Sequence, residues 1–375
     1  MDNGNSSQST MIDQKTHVKK FLHIFLPVTL LIIILSIVLY QRELSAHRAR
    51  VTTREMRTLE NRRETVTNLL KSVVADLRIL TSLQEMQALP EGASEEDAAA
   101  LAAELLTFSA YRGIYEQVSF IDRQGMEIIR VEYRNDDPAV VPRLELQFQK
   151  NSPCFQEAFR LQAGEFHMSP FDLKMEKGKI TYPPTPVICF GMPVFDRSGR
   201  KKGAIMVNYL GDELLQALKQ PGEDDRQSLF LLNSEGYWLL GPSPRAEWGF
   251  LYPDRKEQTM KAQFPAAWNE ICAGENGHFA DAAGLFTFIT LYPPLSVLSP
   301  ARAYLNSNGP CGCSVGDKDK YYWKLVSFIP ADFSSSASSF ILLRRMLFID
   351  GLLFLLAGAL SWLLAGNRKE VPEVR

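Results

Sequence analysis

The strongest constraint in this sequence is a pair of apolar runs, Phe21–Tyr40 and Met346–Ala365, standing near the two ends of 375 residues. Each matches the length a helix needs to cross a hydrocarbon core of about 30 Å at 1.5 Å per residue. The layout predicts a large domain held outside a membrane between two transmembrane helices, 21–40 and 346–365. The first run exceeds the ~7–15 apolar residues of a cleaved signal, so it reads as a retained anchor. Local charge taken alone opposes this topology, because Arg42, Arg48, Arg50, Arg54 and Arg57 follow the first span while Lys15, Lys19 and Lys20 precede it. Long domains, however, translocate largely regardless of such charge, and Arg368 and Lys369 follow the second span. The short tails, 1–20 and 366–375, are therefore expected in the cytoplasm. The second tail has no room for a catalytic output, so output is expected on a separate protein. Within the second span Asp350 lies near the interface and is expected to snorkel. Ala357, Ser361 and Ala365 form a row of small residues expected to pack on another transmembrane helix.

The remaining composition excludes more than it suggests. With 41 Lys and Arg against 43 Asp and Glu, the net charge is -2, and no basic field points to nucleic acid. The five cysteines are too few for a disulfide scaffold. Cys311 and Cys313, in a Gly-, Ser- and Asn-rich loop, read either as a local disulfide or as two separate thiols. Signatures of metalloprotease, nucleotide-binding, dinucleotide-binding and serine-hydrolase sites do not occur, so no enzymatic activity, metal or cofactor is expected. His167, beside Ser169 and Asp172, reads as a loop histidine rather than a catalytic group, and Glu223–Asp225 reads as a solvated linker.

Between the spans, Met56, Leu59, Val66, Leu70, Val73, Leu77 and Leu80 trace a narrow apolar seam broken at Arg63, which predicts a stalk helix over 41–90. Two uses of the seam stand open: signalling and dimerisation in a homodimer, or packing on neighbouring sheets. A pattern then runs twice. Strands are predicted at Gln117–Asp122 and Met126–Tyr133 around an Asp122–Gly125 turn, a helix near Phe155–Leu161, and strands at Pro186–Phe195 and Lys202–Tyr209 around Asp196–Gly199. After the Pro221–Asp225 linker the order restarts with Leu229–Leu232, an Asn233–Gly236 turn, Tyr237–Leu240, a helix at Phe264–Ile271, and strands at Gly284–Tyr292 and Tyr321–Ile329. The fold class is α+β: a long N-terminal stalk helix carrying two tandem antiparallel-sheet modules at 91–220 and 221–332, with a connecting helix at 333–345 before the second span.

Three blocks, Val118–Arg130, Gly164–Leu173 and Pro186–Asp196 with Asn208–Gly211, resemble the membrane-distal half of double Cache (PAS-like) sensor domains. Leu231–Leu239, Glu247–Phe250, Gly284–Phe288 and Trp323–Ser327 resemble the membrane-proximal half, so the resemblance covers residues 41–340 in order. It implies two PAS-like modules on a long helix, placed in the periplasm on a two-pass protein of a bacterial inner membrane, as in receptor histidine kinases, diguanylate cyclases and chemoreceptors. It also implies a ligand pocket in the distal module drawing on Arg130, Tyr133, Phe155, Ser169, Asp172, Phe190 and Tyr209. An arginine beside two tyrosines suits a carboxylate or amino-acid-like molecule. Alternation along the strand would put Arg130 and Ile128 on one face, with Ile129 and Val131 on the other. The chain departs from the family at two positions, with Cys189 where an arginine is common and Cys154-Phe155 where a tyrosine pair is common. These changes remove hydrogen-bonding groups from the expected pocket.

The expected function is a membrane-anchored sensory module that binds a small ligand and passes a signal across the membrane to a separate output protein. A remnant of a receptor kinase or cyclase, and a protein-binding scaffold, are the alternatives.

Overall fold

The computed structural model describes residues 4–134, 137–176, 178–219, 228–293, 321–331 and 337–366. The Pro221–Asp225 linker and the loop carrying Cys311 and Cys313 lie outside the described residues. The chain divides into two compact units, one of residues 1–54 and 330–375 and the other Glu55–Ile329.

Helix α1 (Gly4–Ser82) is continuous and enters both units. In Glu55–Ile329 it leads to α2 (Gln84–Ala88) and α3 (Glu95–Arg112), then to β1 (Tyr115–Asp122), β2 (Glu127–Arg134) and β3 (Asp137–Val140). Helix α4 (Pro153–Arg160) and the short β4 (His167–Met168), β5 (Asp172–Leu173), β6 (Met175–Glu176) and β7 (Lys179–Ile180) follow, before the long β8 (Pro186–Phe195) and β9 (Lys201–Leu210). The second set comprises α5 (Gly211–Lys219), β10 (Ser228–Asn233), β11 (Trp238–Leu240), α6 (Met260–Gln263), α7 (Pro265–Ala273), β12 (Asn276–Ala280), β13 (Gly284–Leu291) and β14 (Trp323–Pro330).

The two sheets repeat one topology. The first runs β3-β2-β1-β9-β8-β4 and the second β11-β10-β14-β13-β12. With β3 and the short β5, β6 and β7 set aside, each module's own strands stand in the order 2-1-5-4-3. The three turns read from the sequence share one device. Asp122 Oδ1 accepts from the backbone N–H of Gln124 and Met126, Asp196 Oδ1 from Ser198 and Arg200, and Asn233 Oδ1 from Glu235 and Tyr237. Each closes on a glycine at positive φ (Gly125, Gly199 and Gly236), a conformation that a side chain would strain.

Helix α1 packs its seam against both sheets. Leu59, Val66, Leu70, Val73, Leu77 and Leu80 are buried in a single cluster with Val118, Phe120, Ile129, Val131, Phe190 and Val207 of the first sheet and Leu231, Ile289, Trp323 and Leu325 of the second. Packing within one chain therefore occupies this seam, and it offers no dimer face. Polar groups fix the helix in place. Asp76 accepts from Tyr115 Oη at 2.5 Å and Arg112 Nε at 2.7 Å, and Glu55 accepts from Ser327 Oγ.

The pattern reading did not anticipate α3. A capping box starts the helix, in which the Ser94 hydroxyl accepts from the Asp97 backbone N–H and the Asp97 carboxylate accepts from the Ser94 backbone N–H. Gly113, at φ 59°, ends it with its N–H donated to Ser109 O. Leu101 and Leu105 face the core among alanines.

In the other unit, α8 (Ala337–Gly366) and α1 each hold a stretch long and apolar enough to cross a membrane. The small-residue row is buried here, with Ala357, Ser361 and Ala365 each under 10 % exposed. Its neighbour is α1: a Cβ at Gly358 would lie 3.7 Å from the Phe25 ring, and the Phe21 ring meets Trp362 edge-on at 5.8 Å. Asp350 is not left to snorkel unaided, since it accepts from Ser36 Oγ at 2.6 Å.

Two outcomes follow. Leu77→Ala should lower stability by about 2–5 kcal/mol, read from denaturant midpoints, because it opens a cavity under a fully buried position. Cysteines placed at Phe25 and Gly358 should crosslink in membranes, and adding Ser361→Ile should suppress that crosslink by wedging the helices apart.

Candidate functional site

The first sheet has two chemically different faces. Register sets Ser119 between Arg130 and Met206, and Gln117 between Glu132 and Asn208. These residues point away from the α1 and α3 core, to the side that α4 covers. Over β8 and β9 that side is apolar and closed: Phe155 and Ala158 of α4 pack on Ile121, Ala204 and Met206. Gly191 makes the approach feasible, since a Cβ there would lie 2.5 Å from the Ala158 Cβ. Cys154 of α4 and Cys189 of β8 are joined by a disulfide.

Over β1 and β2 the same side carries a wall of buried polar groups. Glu116, Ser119, Glu127 and Arg130 are all more than nine-tenths buried. Arg130 Nη1 donates to Glu127 Oε2 at 2.8 Å and Nη2 to Glu145 O at 3.2 Å. Its Nε forms an ion pair with Glu132 Oε1 at 3.2 Å, without the alignment of a hydrogen bond. Glu127 also accepts from the Gln147 backbone N–H and from Gln149 Nε2. Beside this array Lys174 Nζ donates to Glu116 Oε1 at 2.7 Å and pairs with Glu176 at 2.8 Å, while Asn208 Nδ2 donates to Glu116 Oε2. Burial disfavours the charged Lys174, but its bonds to Glu116 and Glu176 prevail and hold its pKa above the ordinary lysine value.

The candidates read from the sequence divide between the two faces. Arg130 and Phe155 lie on the α4 side. Ser169 joins them at β8, where its hydroxyl accepts from the Cys189 N–H and donates to Pro170 O, and its own N–H bonds Cys189 O. Asp172 sits opposite Val187 at the sheet edge, and burial raises its carboxyl pKa. Next to it the Phe171 N–H donates to Tyr321 Oη of the second module at 2.7 Å, and the Phe171 ring packs on Trp248 and Trp323. The other three lie behind the sheet. Phe190 and Tyr209 are buried in the core beside α1 and α3, and a Cβ at Gly113, at the end of α3, would lie 3.4 Å from the Tyr133 hydroxyl. Ile128 also departs from simple alternation. Pairing shifts between Phe120 and Ile121, so Phe120 opposes Ile129 while Ile121 opposes Glu127, and the extra residue Ile128 packs on the helix-side core instead of joining Arg130.

Sequence reading did not single out Glu116, Glu127, Lys174 or Asn208. Glu116 sits in an irregularity where Tyr115 pairs with Tyr209 and Gln117 with Asn208, so alternation alone cannot assign its side. It also missed a cavity of about 660 Å³ on the other side of the sheet, between α3 and β2–β3, lined by Ala98, Ala99, Ala102, Val140, Pro142 and Leu146 among others. His167, paired through β4 with Gly191, has its pKa lowered by burial.

Removing the guanidinium from Arg130 strands Glu127 in the interior. Arg130→Ala should therefore cost about 3–5 kcal/mol in a denaturation experiment, and Arg130→Leu combined with Glu127→Leu should recover most of that loss.

Comparison with known proteins fits this architecture. A model of the bacterial histidine kinase sensor domain matches residues 49–293. No curated protein matches the sequence. Among solved structures, the extracellular domain of vpHK1S-Z8, described as a histidine kinase, superposes with a TM-score of 0.63 at 15% identity, covering 78% of this chain and 95% of that one. A domain of a sensory box/GGDEF family protein from Vibrio parahaemolyticus superposes with a TM-score of 0.61 at 15% identity, covering 78% and 99%. The fold is of the double Cache type, and the chain belongs to the bacterial histidine kinase sensor-domain family.

Proposed function

We propose that this protein is a two-pass receptor of a bacterial inner membrane whose periplasmic domain binds a small amino-acid-like ligand on the α4 side of its first module and signals to an output protein. The reading is carried by the wall of buried, paired charges around Arg130 and Lys174. Buried ionic groups are expensive, and a sheet face meant only for packing is served better by apolar residues. Both signs are present in adjacent pairs, Arg130 with Glu127 and Glu132, and Lys174 with Glu116 and Glu176. A zwitterion can exchange with such pairs, its carboxylate meeting the cations and its ammonium the carboxylates.

Of the residues expected from the sequence, Arg130, Phe155, Ser169 and Asp172 stay in this site, joined by Gln117, Glu116, Lys174 and Asn208. Tyr133, Phe190 and Tyr209 support it from behind. Two disulfides favour the oxidising side of a membrane for the domain, since Cys272 is disulfide-bonded as well as Cys154 and Cys189. Signal would pass through α1, which is shared by the ligand-bearing unit and the membrane-spanning unit.

The test is a thermal-shift screen of the detergent-solubilised chain against amino acids, other small carboxylates and amines. A true ligand at a hundredfold excess over its dissociation constant adds about 2.7 kcal/mol to the folded state. Gln117→Leu, which alters the wall without stranding a charge, should abolish the shift, and Ala102→Leu, in the alanine-lined cavity, should preserve it. The reverse pattern would move the ligand to that cavity, and a well-folded chain that nothing shifts would favour a protein-binding scaffold.

A further inference from the structure

The Cys154–Cys189 disulfide spans a sequence separation of 35 residues. The chain between Cys154 and Cys189 carries most of α4, all of β4 to β7, and Phe155, Ser169 and Asp172. Besides the bond, the apolar contact of Phe155 and Ala158 holds α4 to the sheet, and Lys201 Nζ of β9 donates to Phe159 O and Leu161 O at its C-terminal end, so the disulfide is the tether of its N-terminal end. Both cysteines of this bond are partly exposed, which leaves it within reach of a thiol.

We propose that Cys154–Cys189 is a redox-modification site, reduced by a dithiol, and that its reduction frees α4 from β8 and loosens the segment whose Lys174 closes on Glu116 of the polar wall. One thiolate of the dithiol attacks Cys189 Sγ, forming a mixed disulfide as the Cys154 sulfur leaves with the electron pair of the broken bond and takes up a proton. The second thiol of the reductant then displaces Cys189, so two electrons and two protons enter the protein and the reductant departs as a disulfide. Cys154 is suited to be the leaving sulfur: it lies in the first turn of α4, after Pro153, where no side chain caps the helix, and the positive end of the helix stabilises a thiolate. The regulatory half of this proposal rests on the α4 side being the ligand side, and the reducibility of the bond does not.

The experiment equilibrates the full chain in detergent micelles with graded dithiothreitol, traps free thiols by alkylation, and reads each cysteine by mass spectrometry alongside amide hydrogen exchange. Cys154 and Cys189 should alkylate at reductant concentrations that leave amide exchange over β1, β2 and β9 unchanged. Exchange over residues 153–160 should accelerate at the same point, and Cys154→Ser with Cys189→Ser should reproduce the fast exchange without reductant. Alkylation only where exchange over those strands also collapses overturns the site. Unchanged exchange over 153–160, in the reduced chain or the double variant, overturns the release of α4. The amino-acid thermal shift, repeated in both redox states, separates the two readings. A shift that differs between the states supports the gate, and an equal shift overturns the gate while the ligand reading stands. No shift in either state overturns the ligand reading and leaves alkylation and exchange to decide the modification site.

Discussion

The structure of Glu55–Ile329 depends on the burial of one helical seam. Each sheet presents an apolar face, Val118 and Phe120 in the first and Trp323 and Leu325 in the second, that a single layer cannot keep from water. Helix α1 supplies the missing layer for both. At roughly 1.5–3 kcal/mol for each fully buried aliphatic side chain, six seam residues outweigh any single polar contact in this unit. The polar contacts instead set register. Sliding α1 by a turn would strand Asp76 away from Arg112 and Tyr115, and Glu55 away from Ser327, each inside the protein.

The opposite face of the first sheet obeys a different rule. There the protein buries Glu116, Glu127 and Arg130 and meets the cost with direct partners for each. Such networks are specific rather than strongly stabilising, because desolvation offsets most of the attraction. A face of this kind is held in one geometry yet can be rearranged by a ligand that offers equivalent partners. The apolar α1 side is fastened by packing instead, and structural integrity rests on it.

Much of this was legible in the sequence because the signals were long and periodic. The seam from Leu59 to Leu80, the Asp122, Asp196 and Asn233 turns, and the duplicated hairpin order all survive as read. Helix α3 was not legible by hydrophobic period, since alanines carry little signal between Leu101 and Leu105. Ser94 and Asp97 at capping-box spacing were its available mark. The site was harder for a related reason. Strands buried on both faces lose the alternation that identifies a side, so Phe190 and Tyr209 could not be separated from Arg130 without the register. The bulge at Ile128 then reversed the expected partner of Arg130. Cys154 and Cys189, read singly, looked like lost hydrogen-bonding groups. Their union depends on α4 crossing β8, which spacing along the chain does not reveal.

That crossing gives the loop between the two cysteines a second role. Phe171 lies within it, and its ring reaches Trp248 and Trp323 of the second module while its N–H bonds Tyr321 Oη. Gly211 is needed for this seat, because a Cβ there would lie 2.2 Å from the Phe171 ring. The same closed segment therefore holds Ser169 against β8, Asp172 at the edge of the charged wall, and Phe171 in the joint between modules. A segment anchored at both ends by one covalent bond has few ways to move at one of these points without moving at the others. Rearrangement of the charged wall thus has a short physical route to the second module, through two residues, Phe171 and Asp172, that are adjacent in sequence and face different partners.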